Sequence, residues 1–540
     1  MKCGSKLLKL GFAGWAMLLA CGQVAPAAPL AVNGVASSGH EKRIDLRWAA
    51  SESRDVVGYR VYRAEESEGP FKQISPDNHK VAVYSDFLGA NKQWRYYRIT
   101  ALDRRGGESK PSMIVLGRSR AMTDEQLLNS VQEATFRYFW DWAHPVSGLT
   151  RERYPTRGDG VTTGGTGFGL MAIVAGVERK FVVREAAAWR VRKMLTFLEE
   201  KAQRHHGAWP HWLDGATGKT VPFSKYDDGA DLVETSFLIQ GILTARQYFN
   251  RADPVETDIR KRATRLWRGV EWDWFLRKPE KKVLLWHWSP KYGFKKNMGI
   301  GGAFNECMIT YLLAIASPSH PISAECYHNG WAGKSGRYVN GKSYYGYRQP
   351  LGRPMGGPLF FTHYSYLGFD PRGKRDKYCN YFVNNRNITL INRAYCIANP
   401  QKHKGYGPNV WGLTASMTPD GYNANAPGRS DSGTIAPTAC ISAMPYTPVE
   451  SLAAMKHLYH TYGSKLWGPL GFRDSFNPGR DWFTRGYLAI DQGPIVVMIE
   501  NYRSGVPWKM FMSNPEIAPA LKAIGFKPDT DAPVKRSPQK

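Results

Sequence analysis

The hydrophobic pattern of the chain changes once, from strand-like alternation to helical periodicity. Apolar and polar residues alternate at 43–48, 58–62 and 96–102, between polar or Gly-containing stretches, as in half-buried β-strands. From about residue 123 onward, apolar positions recur every three to four residues, as on one face of an α-helix. We therefore predict a small all-β domain at 29–118 and a large helical domain at 119–527.

The strand-like region resembles a fibronectin type III module. It has Trp48 in an early strand, the run GYRVY at 58–62, and the run YRITALD at 97–103 before a Gly turn. The resemblance implies an immunoglobulin-like sandwich that serves in spacing or docking, with Tyr97 as its tyrosine-corner candidate. The stretch 104–120 predicts a linker.

Amphipathic segments predict about a dozen helices after this region. They lie near 123–142, 166–178, 183–203, 231–250, 254–275, 303–316, 376–398, 448–462, 493–504 and 513–524, with shorter candidates near 322–331 and 434–444. Six inner and six outer helices make an all-α (α/α)6 barrel, a toroid with one open end formed by the inner-helix N-termini and their loops. We expect a ligand to bind at that end.

Composition narrows the class of ligand. The chain has 18 Trp and 28 Tyr, and such a surplus suits the flat faces of sugar rings, although large cores also consume aromatic residues. The net charge of +27 would suit an acidic partner. Because Lys and Arg are scattered and no nucleic-acid module is recognisable, we expect no nucleic-acid partner. We also expect a monomeric protein.

Residues 1–28 predict export. Lys2, Lys6 and Lys9 precede an apolar run at 10–20 that is too short to span a bilayer. The run LLACG at 18–22 resembles a bacterial lipobox, in which Cys21 is lipidated, and APA at 25–27 offers an ordinary signal-peptidase site instead. We expect a periplasmic or outer-membrane lipoprotein of a Gram-negative bacterium. The polar tail at 528–540 predicts disorder.

We expect neither a metal nor a cofactor, because the motifs that could bind one are incomplete or lack the required surroundings. Five cysteines follow Cys21 without a CxxC pair, which favours buried free thiols over a zinc site. The run GRYVNGKS at 336–343 fits a phosphate loop, but its flanks lack the required strand and helix. His205, His206 and His211 have no accompanying H-E-x-x-H, and G-x-S-x-G is absent from the sequence.

Acids at the predicted starts of apolar helices are the catalytic candidates. Asp231 and Glu234 share a helix face, with Asp227 one turn earlier, and the same spacing fits a capping box. Glu306 and Asp491 each precede another apolar run beside glycines, where favourable placement at a helix N-terminus is the alternative. Inverting glycoside hydrolysis needs one carboxyl as acid and a second as base. Residue types and spacing leave the choice among these acids open.

The helical region resembles the glycoamylase-like proteins, which include the endo-β-1,2-glucanases of glycoside hydrolase family 144. The resemblance covers about 123–526, and one departure is Met417, where an acidic or small residue is expected after Ser416. The segments that carry it are GGTGFGL at 164–170, HGAWPHW at 206–212, DLVET at 231–235, GAFNE at 302–306, GPLFFTHYS at 357–365, WGLTAS at 411–416, IDQGP at 490–494 and ENYRSG at 500–505.

The resemblance implies an (α/α)6 barrel that hydrolyses β-1,2-glucan with inversion to sophoro-oligosaccharides. Carried over by motif, Glu306 is the proposed acid and Asp491 the proposed base, with Asp227, Asp231 and Glu234 around the cleavage subsite. The rival hypotheses are a transglycosylase, a hydrolase of another β-glucan, and a non-catalytic glycan-binding lipoprotein. The candidates for sugar contact are Trp209, His211, Trp212, Trp286, His363, Tyr364, Trp411, Tyr502 and Arg503.

Overall fold

The computed structural model describes Met1 and residues 28–530, except 54, 78, 157, 278, 334 and 335. The predicted export segment with Cys21 and the end of the predicted tail, 531–540, therefore lie outside the described residues.

The N-terminal region is rich in strands, as its alternation predicts. Its strands form two antiparallel sheets, in the orders β1-β2-β5 and β4-β3-β6-β7. Because side chains alternate between the faces of a strand, Ile44, Leu46, Val61 and Ile99 come together in one fully buried cluster. The strands are β1 (Ala36–His40), β2 (Arg43–Arg47), β3 (Val56–Ala64), β4 (Lys72–Gln73), β5 (Val83–Phe87), β6 (Trp94–Asp103) and β7 (Val115–Arg118).

Two local predictions for this region are wrong. β7 pairs along β6, from Trp94 opposite Arg118 to Tyr97 opposite Val115, so residues 115–118 of the predicted linker belong to the sheet. The Tyr97 hydroxyl donates to the carboxylate of Asp86 at 2.8 Å, whereas a tyrosine corner bonds to the backbone. The pairing of β6 with β7 therefore ends close to the start of the first helix.

The rest of the described chain is mainly helical. Thr123 and Gln126 form a capping box at the first helix. The helices are α1 (Asp124–Trp140), α2 (Thr163–Glu178), α3 (Arg184–Glu200), α4 (Leu232–Tyr248), α5 (Pro254–Arg268), α6 (Met308–Ala316), α7 (Tyr381–Ala398), α8 (Pro437–Ile441), α9 (Pro448–Leu466), α10 (Ala489–Arg503), α11 (Val506–Met512) and α12 (Ile517–Ile524).

Short strands pair within the loops between these helices. They are β8 (Arg153–Tyr154), β9 (Gly160–Thr162), β10 (Trp212–Asp214), β11 (Thr220–Val221), β12 (Ala230–Asp231), β13 (Leu284–Leu285), β14 (His287–Trp288), β15 (Gly299–Ile300), β16 (Val339–Tyr344), β17 (Tyr347–Leu351), β18 (Lys374–Arg375), β19 (Ala415–Thr418), β20 (Gly421–Ala424), β21 (Trp467–Gly468), β22 (Gly471–Phe472), β23 (Phe476–Asn477), β24 (Trp482–Phe483), β25 (Tyr487–Leu488) and β26 (Lys527–Pro528).

Some predicted helices differ in extent from the observed ones. The segment predicted at 254–275 leaves the α-helix at Arg268, and 303–316 becomes helical only from Met308. The candidate at 322–331 is a π-helical turn at Tyr327–Trp331. Residues 339–344 of the phosphate-loop motif form β16 of a hairpin, so the helix that a phosphate needs is missing there.

Glycines allow the helices behind the candidate acids to pack closely. α2 contacts α4 and α10, and α4 also contacts α6. A Cβ atom on Gly167 would lie 2.1 Å from the carbonyl oxygen of Phe237, and one on Gly241 would lie 2.1 Å from that of Gly167. Only glycine fits at this α2–α4 crossing, which holds the start of α4 close to that of α2.

The strand-rich region docks on the helices through a buried arginine. Arg43 of β2 is fully buried and donates to the Tyr459 hydroxyl of α9 at 2.7 Å and to Ser130 of α1 at 2.5 Å. Asp45 balances its charge, at 2.9 Å from the Arg43 Nε. This contact joins the two regions around one satisfied buried cation.

Among the residues described, no helix is both long and apolar enough to cross a membrane. The cysteines at 307, 326, 379, 396 and 440 are buried and free, as the sequence predicts.

Candidate active site

Tyr364 lies at the centre of buried acids from distant parts of the chain. It belongs to the 3-10 turn Tyr364–Tyr366 and is 5% exposed. Its hydroxyl is 3.5 Å from Asp491 Oδ1. Burial, with the carboxyl groups of Asp491, Glu306 and Glu234, raises the pKa of Tyr364 well above its ordinary value. Three predicted catalytic acids therefore lie close enough to this hydroxyl group for their charges to act on it.

Asp231 both caps α4 and binds a histidine. Its Oδ1 accepts the backbone N–H groups of Val233 and Glu234, each at 2.9 Å, so the predicted N-cap is confirmed. The reciprocal half of the capping box is wrong, because Glu234 Oε2 accepts the backbone N–H of Gly164 at 2.7 Å. The second oxygen of Asp231 lies 3.0 Å from His211 Nδ1.

His211 is surrounded by three carboxyl groups. Its Nδ1 is also 3.6 Å from Asp227 Oδ2, and its Nε2 is 4.0 Å from Glu234 Oε1. Burial favours the neutral ring, but the carboxyl groups of Glu234, Asp227 and Asp231 outweigh it and raise the pKa of His211 well above its ordinary value. The ring is therefore an imidazolium at neutral pH, held between these acids.

The same side chains could geometrically hold a metal ion. One ligand atom each from His211, Asp227 and Asp231 lies within 4.8 Å of the others. A histidine ligand must be deprotonated, whereas these acids favour the protonated ring. We therefore interpret the cluster as a network of ion pairs.

The carboxyl group of Glu234 lies against a position at the start of α2 that only a glycine can occupy. A Cβ atom on Gly164 would lie 2.6 Å from Glu234 Oε2, so the glycine at the start of α2 lets the carboxyl group reach the backbone N–H. Burial raises the pKa of Glu234 to about 7, with Asp231 adding to the effect and His211 opposing it.

Glu306 has the properties of a general acid. It lies in the turn before α6, keeps 8% of its surface exposed, and has no hydrogen-bond partner for Oε2. Ser365, next to Tyr364, donates to its backbone carbonyl oxygen. Burial raises the pKa of Glu306 to about 7, against the effect of Arg353. It can therefore be protonated near neutral pH, as a general acid requires.

Asp491 lies in the first turn of α10, beside an acid that we did not identify in the sequence. The backbone carbonyl oxygen of Asp491 accepts the Thr438 hydroxyl at 2.6 Å. Burial and the neighbouring carboxyl group of Asp474 raise the pKa of Asp491 well above its ordinary value. Asp474 lies between Arg473 and Ser475 in the loop after α9, and nothing in this local sequence singles it out as a site residue.

Several of the predicted sugar-contacting residues lie near these acids. Trp212 is half-buried beside His211, with ring centroids 5.6 Å apart. Trp286 is half-buried, and its carbonyl oxygen accepts the N–H of Leu232 at the start of α4. His363, next to Tyr364, is 2% exposed, and burial lowers its pKa to about 3, so its ring is neutral.

The remaining predicted contacts lie elsewhere and have structural roles. The side chains of Trp209 and Trp411 are fully buried in the core, so neither offers a ring face to a sugar. Tyr502 and Arg503 lie at the opposite end of α10 from Asp491, about 18 Å along the helix axis at 1.5 Å per residue. There Arg503 donates to Asn129 and Gln132 of α1 and joins two helices.

The β19–β20 hairpin contributes two features that the sequence did not reveal. Tyr422 is 56% exposed, and burial of its hydroxyl with the nearby Asp491 and Asp474 carboxyl groups raises its pKa well above the ordinary value. It is an exposed ring beside the acids. Met417, the departure from the family pattern, donates its backbone N–H to Asp474 at 2.7 Å, a contact that any non-proline residue could make.

A cavity of about 730 Å³ lies apart from these acids, between the strand-rich and helical regions. Tyr84, Tyr154, Arg473 and Arg485 are among its lining residues, and none of the five predicted catalytic acids lines it.

Comparisons with known proteins agree on a family. The glycoamylase family model, described as "Putative glucoamylase", matches residues 301–515. An exo-β-1,2-glucooligosaccharide sophorohydrolase (non-reducing end) of Parabacteroides distasonis is 45% identical over 506 residues, which are 90% of this chain and 70% of that protein.

Solved structures give the same picture. A β-1,2-glucanase from Parabacteroides distasonis has a TM-score of 0.87 and 44% identity, covering 93% of this chain and 74% of that one. The endo-β-1,2-glucanase from Chitinophaga pinensis, in complex with sophorotriose and glucose, has a TM-score of 0.73 and 50% identity, covering 75% of this chain and 99% of that one.

Proposed function

The chain belongs to the glycoamylase-like family with the β-1,2-glucanases of glycoside hydrolase family 144, and from this premise we propose that it hydrolyses β-1,2-glucan to sophoro-oligosaccharides. It is a glycoside hydrolase, as its relatives are. The observation that carries the proposal is the group of acids around the buried Tyr364: Asp491 lies 3.5 Å from its hydroxyl, and the charges of Glu306 and Glu234 also act on it. These acids come from three separate segments, and two of them have a pKa of about 7.

The mechanism that we propose is inverting. Glu306 gives its proton to the glycosidic oxygen as the bond to the anomeric carbon breaks. Asp491 takes a proton from water, directly or through a hydrogen-bonded hydroxyl, as the water oxygen bonds to the anomeric carbon from the opposite face. Glu306 ends ionised and Asp491 protonated, and exchange of one proton with solvent restores both groups.

The acids of the α4 group would bind the sugar next to the cleaved bond. Asp227 and Glu234 keep 6% and 8% of their surface exposed, and Asp227 Oδ1 has no partner, so they can accept sugar hydroxyl groups. Tyr422, Trp212 and Trp286 offer partly exposed rings near them, and aromatic faces suit the C–H faces of a pyranose.

We extend the proposal to architecture. The contacts of α10 with α2 and α8, and of α4 with α2 and α6, support an (α/α)6 barrel with the acids at the N-terminal ends of its inner helices. The two-sheet order of β1–β7 supports a fibronectin type III-like sandwich at 29–118. Hydrophobic periodicity supports residues 119–527 as the catalytic domain.

We also propose where the protein works. The positive N-terminus and the short apolar run support export to the periplasm or outer membrane, with lipidation at Cys21 as the anchor. Expression of the full chain in a Gram-negative host, followed by fractionation and mass spectrometry of the mature N-terminus, tests this proposal. A cytoplasmic protein that keeps residues 1–28 would contradict it.

Product analysis tests the activity. Purified protein is incubated with linear β-1,2-, β-1,3- and β-1,4-glucans, and products are separated by chromatography while reducing ends are counted. We expect sophoro-oligosaccharides from β-1,2-glucan only, with the α-anomer formed first by proton NMR. Chain transfer without new reducing ends would indicate a transglycosylase, and the β-anomer would contradict inversion.

Substitution of the acid separates catalysis from binding. We expect Glu306→Gln to lower kcat at least ~10²-fold, because protonation of the leaving oxygen is lost. Glu52→Gln, at an exposed acid of the strand-rich region, is the matched control and should keep full activity. Equal turnover in both variants and wild type would remove Glu306 from the mechanism.

A further inference from the structure

The cavity between the strand-rich and helical regions has no role in the mechanism above. Its volume of about 730 Å³ falls within the range of small-molecule sites, about 300–1,000 Å³. β5 of the strand-rich region contributes lining residues, and so do β8, β21 and β25 of the helical region. None of the five predicted catalytic acids lines it, so this cavity is separate from the candidate active site.

Arg473 brings a positive charge to the cavity that no acid neutralises. Its Nη1 donates to the backbone carbonyl oxygen of Arg485 at 2.9 Å, and its Nε is buried without an acceptor. Arg485 is exposed and also lines the cavity. Among the described residues, neither guanidinium group forms an ion pair. Such groups are suited to bind a phosphate or a carboxylate, because their N–H donors match two of its oxygens.

The other ionisable groups of the lining are already balanced or neutral. Asp86 is buried, and its carboxylate accepts the Arg63 guanidinium at 3.0 Å. Lys465 pairs with Asp481 at 2.7 Å. Burial lowers the pKa of His79 to about 4, so its ring is neutral at pH 7. The unbalanced charge of the cavity is therefore positive and belongs to the two arginines.

The neutral part of the lining suits a sugar. Burial raises the pKa of Tyr84, Tyr154 and Tyr487, and the charge of Arg473 opposes this rise at each of them, so the guanidinium group lies near three neutral phenols. Their rings suit the C–H groups of a pyranose. A phosphate alone would fill little of the volume. Hydroxyl groups that can donate to or accept from a sugar come from Ser75, Ser85, Ser464 and Thr484.

We propose that this cavity is a second binding site, for an anionic sugar: a sugar unit with a phosphate ester or a carboxylate, held by Arg473 and Arg485. The same chemistry has two sources, a free sugar phosphate or sugar acid and an anionic substituent on a glucan chain. The site does not depend on the proposed hydrolysis, because none of its lining residues takes part in that mechanism.

Calorimetric titration of the purified protein with glucose 6-phosphate tests the site. We expect Arg473→Gln to raise Kd at least ~10-fold, because a charge-assisted hydrogen bond is lost. Arg485→Gln, at an exposed position, should raise Kd at least ~3-fold without disturbing the fold. Arg268→Gln, at an exposed arginine of α5 outside the cavity, is the matched control and should keep the wild-type Kd. Equal Kd values in all four proteins, or no binding at millimolar concentration, would overturn the proposal.

Two further titrations separate this site from the active site. Asp227→Asn should leave the Kd of glucose 6-phosphate within ~2-fold of wild type, because Asp227 does not line the cavity. An altered Kd in this variant with an unaltered Kd in Arg473→Gln would place the sugar phosphate among the catalytic acids and overturn the proposal. Neutral glucose should bind wild type at least ~10-fold more weakly, and equal Kd values for the two sugars would also overturn it.

Phosphorylated β-1,2-glucan identifies the source of the anion. Binding is measured in Glu306→Gln, which should not cleave the chain. Tighter binding of phosphorylated glucan than of glucose 6-phosphate, lost when Arg473→Gln is added, supports a substituent on a chain. Tighter binding of glucose 6-phosphate supports a free sugar phosphate. Arginine-dependent binding of glucose 6-phosphate by a protein that cleaves no β-glucan would keep this site and remove the proposed function.

Discussion

The two groups of buried acids near Tyr364, at the start of α4 and at the start of α10, differ in how their negative charges are balanced. Around α4, the acids surround His211, whose Nδ1 lies 3.0 Å from Asp231. At α10, Asp491 and Asp474 face each other with no ion-pairing cation among the residues described. In the first group His211 favours the ionised acids, whereas in the second the carboxyl group of Asp474 disfavours ionisation of Asp491.

This difference indicates a division of labour. A group of acids around a histidine whose pKa they raise is suited to hold sugar hydroxyl groups, since the histidine balances part of their negative charge. A pair that gains and loses single protons is suited to accept one from water. The predictions below test this comparison, from the largest expected effect to the smallest.

Removal of the imidazolium should have the largest effect. His211→Leu leaves the acids around it without their cation, so we expect the unfolding free energy to fall by about 3–5 kcal/mol and turnover by at least ~10²-fold. Urea denaturation and reducing-end assays measure both. The control His320→Leu removes an exposed ion pair with Asp273 and should cost less than about 1 kcal/mol. Equal losses of unfolding free energy in the two variants would show that His211 does not stabilise the acids around it.

The pH dependence of stability tests the burial of the Glu306 carboxyl group. Its pKa rises from 4.5 to about 7 on folding, so the folded protein binds the proton more tightly than the unfolded chain. This stabilisation is complete below pH 4.5 and is lost as the pH rises through 7, about 3 kcal/mol in all. Glu306→Gln should flatten that part of the curve, as measured by chemical denaturation. An unchanged slope would mean that Glu306 is ionised throughout.

A methyl group at Gly164 should disturb the α4 group alone. Gly164→Ala places a carbon 2.6 Å from Glu234 Oε2, so we expect a loss of about 1–3 kcal/mol and a fall in turnover of about tenfold. Gly160→Ala is the matched control, since nothing lies within 4 Å of its added carbon. Similar stability and turnover in both variants would show that the Gly164 contact is dispensable.

Replacing an aspartate by asparagine should change the stability of the fold in opposite directions in the two groups of acids. Asp231→Asn keeps an N-cap acceptor but loses the charged bond to His211, at a cost of about 1–2 kcal/mol. Asp491→Asn removes one of two confronted carboxyl groups and should stabilise the fold by about 1 kcal/mol while abolishing turnover. Thermal denaturation at pH 7 measures both, and a shift of the same sign would contradict the comparison.

The ring of Tyr422 should have the smallest effect. We expect Tyr422→Ala to raise KM about threefold to tenfold, because a partly exposed sugar-stacking ring contributes about 1 kcal/mol, and to leave the melting temperature unchanged. Tyr422→Phe should keep the wild-type KM. An unchanged KM in the Ala variant would remove this ring from the sugar site.

The predictable part of this protein was local. Strand alternation and helical periodicity placed most elements, and acids before apolar helices marked Asp231 and Asp491, because these features depend on neighbours within one or two turns. The family resemblance, which the comparisons confirm, then chose among acids that spacing alone could not rank.

Local patterns failed wherever a contact joins distant segments. Trp209 and Trp212 are three residues apart in the same motif, yet one is fully buried and the other half-exposed. Arg503 belongs to the same helix as Asp491 but lies at the opposite end of that helix, against α1. Nothing in either stretch of sequence states which side faces the core.

The sequence by itself determined the order of strands and helices, the five thiols that are free and buried, and a set of acids at helix starts. Only the tertiary structure decided which acids meet. Asp474 with Asp491, and Tyr364 with the three acids around it, are residues 17 to 130 positions apart, and side-chain proximity over such separations follows from helix packing, including the glycine crossing of α2 and α4. The proton balance of the site follows from that packing, because burial and neighbouring charges set each pKa.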